Sequence, residues 1–150
     1  MKLKKFIPFC VLFIGTLGLP QTSPAKEKIE VIPIIQTSKG LSGKNFNYQE
    51  GKPELRLLKV KIPVGLRTPI HTHPSPMLIY VTRGRLKHVR GEEINFFKAG
   101  DAFIESNNGG AHYVKNIGKK PAILNVGVVL VVGCLRPWIN NIFVICSICI

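Results

Sequence analysis

A chain of 150 residues has room for one domain with a real core, and 45% apolar against 19% charged residues excludes a disordered chain. The formal charge of +13 raises nucleic acid as a partner. The lysines and arginines are spread singly or in pairs, however, and in the densest stretch Arg83, Arg85 and Lys87 alternate as they would on one outward strand face. A solvated basic face is the expectation, and nucleic acid is not an expected partner.

In chain order, the first segment carries Lys2, Lys4 and Lys5, an apolar run from Phe6 to Leu19, and then Ser23-Pro24-Ala25. Small residues at positions 23 and 25 complete the layout of a secretory signal peptide over residues 1–25, removed by cleavage after Ala25. The apolar run is shorter than the roughly 20 residues that cross a bilayer, so no spanning helix is expected once the signal is removed. The mature protein is therefore expected to be exported, to a periplasm or as a secreted protein. Of the four cysteines Cys10 lies in the signal, which leaves Cys134, Cys146 and Cys149 bunched near the C-terminus. That odd set is no framework for stapling a fold and allows at most one pair in the tail.

Beyond the signal, segments rich in Val, Ile, Phe and Tyr alternate with turn residues. Strands are expected over Ile29 to Gln36, Glu54 to Val64, Met77 to Thr82, Arg85 to Arg90, Glu93 to Phe97, Ala102 to Glu105, Ala111 to Lys115 and Ala122 to Val132. Residues Gly40 to Gly51 are polar and read as a loop or an edge strand. In the second strand Arg56, Leu58, Val60 and Ile62 oppose Leu55, Leu57, Lys59 and Lys61, the pattern of a half-buried strand. No stretch before residue 130 has a helical period with caps, so the fold class is all-β, a sandwich or barrel. Residues 133–150 form an apolar tail interrupted by Arg136, Pro137, Asn140 and Asn141, and its role is left open.

Chemistry concentrates in the histidines. On an extended chain, residues two apart point the same way about 6.6 to 7 Å apart, so His71 and His73 can converge on one ion while Thr72 points away. His112 follows a glycine-rich turn and opens a strand that can bring it against the first pair. His88 sits in another strand without an obvious partner.

Gly65, five residues, His71-x-His73, three residues, Met77, six residues and Gly84 resemble the first motif of the cupin superfamily, with Met where those proteins usually have Glu. Gly100, a turn over Asn107 to Gly110, His112 and Asn116 resemble the second motif, its turn one residue longer and its proline replaced by Ser106. The likeness runs from Glu54 to Val132, within a cupin domain assigned to residues 26–132. It implies a jelly roll or β-barrel of roughly six to eight strands, with metal ligands His71, His73 and His112. The ion that the resemblance implies is a divalent transition metal: iron, zinc, copper, manganese or nickel. Gly65, Gly84 and Gly100 fall at strand ends, where turns favour residues that tolerate positive φ.

Met77 stands either as a soft fourth ligand or as wall of the pocket. His88 and Tyr113 are candidates for the pocket lining, and Asp101 and Glu105 read as turn and surface residues. No Glu or Asp lies between Glu54 and Glu92, which leaves the first motif without a general base. Three neutral imidazoles with open positions suit dioxygenase-like chemistry on a small organic substrate. The alternatives are a non-catalytic module that binds a metal or small ligand in the cell envelope, and a degenerate cupin without metal. The partners expected are a small-molecule ligand or substrate and a second copy in a homodimer.

Overall fold

The computed structural model describes residues 27–132; the signal peptide expected over 1–25 and the tail over 133–150 lie outside the described residues. Residues 27–31 belong to a separate short unit and carry no regular structure. The second unit begins at Ile32 and holds seven strands, with no helix among the described residues. They are β1 (Pro53–Ile62), β2 (Met77–Arg83), β3 (Arg85–Arg90), β4 (Glu93–Lys98), β5 (Ala102–Glu105), β6 (Tyr113–Asn116) and β7 (Ala122–Val131).

Four strands form one sheet in the order β1-β7-β2-β5 and three form another in the order β4-β3-β6, with antiparallel pairing throughout. The chain passes back and forth between the sheets, which is how an antiparallel jelly roll closes around its core. Seven of the expected strands are present to within two residues at each end. The strand expected over Ile29 to Gln36 is absent: the segment is rich in Ile and Val, but no partner strand pairs with it, and Ile29, Val31, Ile32 and Ile34 are exposed.

Strand parity decides what the interior contains. Leu58, Val60 and Ile62 of β1 face inward, while Leu55 and Leu57 on the other parity are exposed. Ile79 and Val81 of β2, Phe103 of β5 and alternate residues Ala122 to Leu130 of β7 complete the apolar core. Phe97 stacks on Phe103 at 4.0 Å between ring centres. On β3, Leu86 is buried in this core, and the same parity turns His88 and Arg90 inward. Of the expected basic face, Arg85 and Lys87 share the outer parity of β3, while Arg83 ends β2.

Two motif residues have clear structural roles. Gly84 joins β2 to β3 at φ +98°, and a Cβ there would stand 2.8 Å from the Ala122 Cα, so both conformation and space require glycine. Gly65 and Gly100 also have positive φ. Asn116 is fully buried at the end of β6. Its Nδ2 donates to the carbonyls of Ile62 and Lys120, each at 2.9 Å, and its Oδ1 accepts the Gly118 N–H at 2.8 Å.

Candidate metal centre

His71 lies outside the seven strands, in an isolated backbone bridge with His112, each N–H donating to the other's carbonyl at 3.0 Å. His71 and His73 lie between the expected strands, and the three rings meet across this bridge. Ring centres lie 4.8 Å apart for His71 and His73, 4.6 Å for His71 and His112, and 4.9 Å for His73 and His112. One ring nitrogen from each can be chosen so that all three lie within 4.8 Å of one another.

Tautomers follow from the outer hydrogen bonds. His71 Nδ1 lies 2.8 Å from the Pro69 carbonyl, and His112 Nδ1 lies 3.1 Å from the Gly110 carbonyl. A carbonyl only accepts, so both Nδ1 atoms carry the proton and both Nε2 atoms present a lone pair. That is the outer support typical of a metal-binding imidazole. His73 Nε2 lies 3.2 Å from His112 Nε2, where two lone pairs repel unless a proton or a cation lies between them. Burial, then the neighbouring His71 and His112, push the His73 imidazole down to about 3, so it is neutral and able to ligate near pH 7. Burial also lowers His112.

A second group shares His112. His88 and Glu105 are buried, and with His112 they too present three ligand atoms within 4.8 Å of one another. Glu105 Oε2 accepts a hydrogen bond from Arg90 Nη2 at 2.8 Å. Its Oε1 lies 2.7 Å from His88 Nε2 and 3.5 Å from His112 Nε2. The 2.7 Å approach is out of line with the ring N–H, so both Oε1 and His88 Nε2 lack a completed hydrogen bond. Burial raises the Glu105 carboxyl, but the close His88 contact and the nearby imidazoles outweigh it and hold the group below the usual carboxylate range.

These contacts correct three sequence-based expectations. Glu105 is an interior residue at 2% exposure, so the site does have a carboxylate close at hand. His88 has partners, since it also stacks on His112 with 4.9 Å between ring centres. Neither lining candidate lines the cavity: His88 lies behind Glu105 and His112, and Tyr113 packs its ring under the Arg67 guanidinium, 4.8 Å away. Parity could have found Glu105 and Arg90: each lies two residues from a buried neighbour, Phe103 and His88 respectively. Asp101 is the turn residue expected, its Oδ2 accepting the Lys98 N–H at 2.7 Å.

His71, His73, His112 and Glu105 line a cavity of about 320 Å³ whose wall is otherwise largely apolar, including Ile62, Met77, Ile79, Phe103 and Val126. Lys61, Arg67 and Thr68 supply the remaining polar lining. Met77 is buried in the core and pairs in register with Glu105 across β2 and β5.

Residues 58–132, half of the chain, match the family model described as a cupin domain. The chain belongs to the cupin superfamily. No curated protein matches this cupin. Among solved structures it is similar to the Cnp3 cupin domain of Schizosaccharomyces pombe, at 22% identity over 54% of this chain and 59% of that one, with a TM-score of 0.46. It is also similar to a Bacillus halodurans protein, at 21% identity over 49% and 61% of the two chains and a TM-score of 0.44. A predicted oxalate decarboxylase from Thermotoga maritima follows, at 22% identity over 50% and 65% and a TM-score of 0.43. The cupin thus covers less than two thirds of the length of each of these chains.

Among the described residues no helix is long and apolar enough to cross a membrane.

Proposed function

We propose that this cupin holds a divalent transition metal through His71, His73 and His112 and binds a small organic molecule beside it, in dioxygenase-like chemistry. The observation that carries the reading is the facing pair of Nε2 atoms on His73 and His112 at 3.2 Å, with the His112 proton held on Nδ1 by Gly110. Iron, zinc, copper, manganese and nickel all accept imidazole, so the donor set does not choose among them. An ion held by three neutral imidazoles supplies Lewis acidity and open positions for a ligand.

The protein's own part is placement. The Pro69 and Gly110 carbonyls fix the rings, and the apolar wall excludes water and favours a substrate with a compact hydrocarbon body. Lys61 and Arg67 in the lining suit a substrate that also carries an anionic or electron-rich oxygen. We read Met77 as wall, since it belongs to the apolar core cluster. The basic start of the chain followed by its apolar run supports export to a periplasm or beyond, where this cupin would act.

The test is metal content of the purified protein, followed by O2 consumption against small phenolic, enolic and thiol compounds. Bound metal with turnover that disappears in His71→Ala supports the enzyme. Bound metal without turnover favours the non-catalytic binding module of the cell envelope, and a chain that takes up no metal is the degenerate cupin.

A further inference from the structure

A buried carboxylate must have both oxygens engaged, because an unpartnered charged oxygen away from water is costly. Arg90 accounts for Glu105 Oε2. Nothing completes a hydrogen bond to Oε1, although the atom is buried and its residue lines the cavity with the three histidines. The register of β2 and β5 puts Glu105 directly across from Met77, so this carboxylate enters the site from β5.

We propose that Glu105 binds the same ion as His71, His73 and His112, through Oε1, with Arg90 and His88 as positioning residues for its carboxylate. The inference rests on the three-histidine reading above and adds a fourth ligand to it. Two ligand atoms each about 2.1 Å from an ion, at octahedral to tetrahedral angles, lie about 3.0 to 3.4 Å apart. His112 Nε2 lies 3.2 Å from His73 Nε2 and 3.5 Å from Glu105 Oε1, so His112 stands at an edge spacing from both. Glu105 falls in a 4.8 Å group with His88 and His112 and not with His71 and His73, so binding the shared ion requires its carboxylate to swing towards those two rings. His88 Nε2 at 2.7 Å from Oε1 is too close for a second ligand on the same ion and suits a hydrogen-bond donor after a small ring rotation. Two separate ions are excluded, because His112 has one free lone pair: its Nδ1 proton is engaged by Gly110. The carboxylate also offsets one unit of the ion's charge in an apolar cavity, which three imidazoles cannot do.

The experiment is Co(II) loading of wild type, Glu105→Gln and His71→Ala, reading affinity by chelator competition and coordination by the visible ligand-field spectrum. Glu105→Gln should bind at least about 10-fold more weakly, with a shifted ligand-field band. An unchanged affinity and band overturns the inference, and so does weaker binding with an unchanged band, which would make Glu105 a positioning residue only. If His71→Ala loses the metal while Glu105→Gln behaves as wild type, the three-histidine reading stands and this one fails. A wild type that binds no Co(II) overturns both. Should Glu105→Gln fail to fold because Arg90 loses its buried carboxylate partner, the double variant Arg90→Met, Glu105→Gln removes that cation and takes the same measurements. A crystal structure of the loaded wild type needs no substitution: Oε1 at about 2.1 Å from the ion supports the inference, and a distance beyond about 3 Å overturns it.

Discussion

Single side chains set the chemistry of this cupin through the atoms they leave free. Asn116 uses its whole amide to tie the end of β6 to Ile62, Lys120 and Gly118. Asn116→Ala strands two carbonyls and one N–H, and unfolding in urea should show a loss of about 2 to 4 kcal/mol; a loss within about 0.5 kcal/mol would assign the residue no such role. His73 predicts the pH response of the metal-free protein. The folded state holds this imidazole at about 3, while the unfolded chain protonates it near its ordinary value of 6.5. The unfolded state therefore binds more protons between those values, and stability falls as pH drops through that window. Glu105, lowered from 4.5, adds a loss of the same sign at the acid end. The urea midpoint near pH 5 should lie below that near pH 7, and an equal or higher acid midpoint would contradict the assignment.

That the His71, His73 and His112 rings meet was legible in the sequence because the two cupin motifs, taken in order, place them together, which the spacing of 71 and 73 alone would not have done. Glu105 reads as surface, at the end of a four-residue strand beside Ser106 and Asn107, although its parity with Phe103 points inward. What only the fold shows is that the end of β5 meets an arginine and a histidine that β3 turns inward.

At the level of elements, parity and turns carry the fold. The turn in the second motif, long and without its proline, is held by the loop before β1. Asn107 Nδ2 donates to the Asn47 carbonyl at 3.2 Å, Asn108 Nδ2 donates to the Asn45 carbonyl at 2.8 Å, and Ser106 meets Ser42 at 3.2 Å. This clasp does for His112 what a rigid turn residue would do, and no sequence spacing announced it, since its two halves lie 60 or more residues apart. The β1 alternation was legible because its two faces differ in fate, as was β3, whose Leu86 is fully buried. Leu86→Ala should cost about 2 to 5 kcal/mol, whereas Leu57→Ala, on the exposed face of β1, should stay within about 0.5 kcal/mol. Thermal or urea unfolding of the pair checks the sheet faces directly, and comparable losses would contradict an inward Leu86 and an outward Leu57. The missing strand over Ile29 to Gln36 shows the limit of composition reading: Ile and Val favour extended backbone, but a strand also needs a neighbour to take its hydrogen bonds.

Across the whole molecule, two sheets of unequal size close around an apolar core that opens into one wall of the cavity, and the polar groups gather there. Histidines from the loop before β2 and the turn before β6, a carboxylate from β5 and an arginine from β3 meet although the chain separates them by up to some forty residues. Such convergence of titratable groups on an apolar cavity is where chemistry is expected in a protein of this kind. The central claim is that these imidazoles hold an ion. The most direct measurement is metal content by mass spectrometry after the purified chain and His73→Ala are offered iron, zinc, copper, manganese and nickel in turn. About one ion per chain is expected in the wild type and none in the variant. A wild type that stays empty with all five, or a variant that retains its ion, would contradict it.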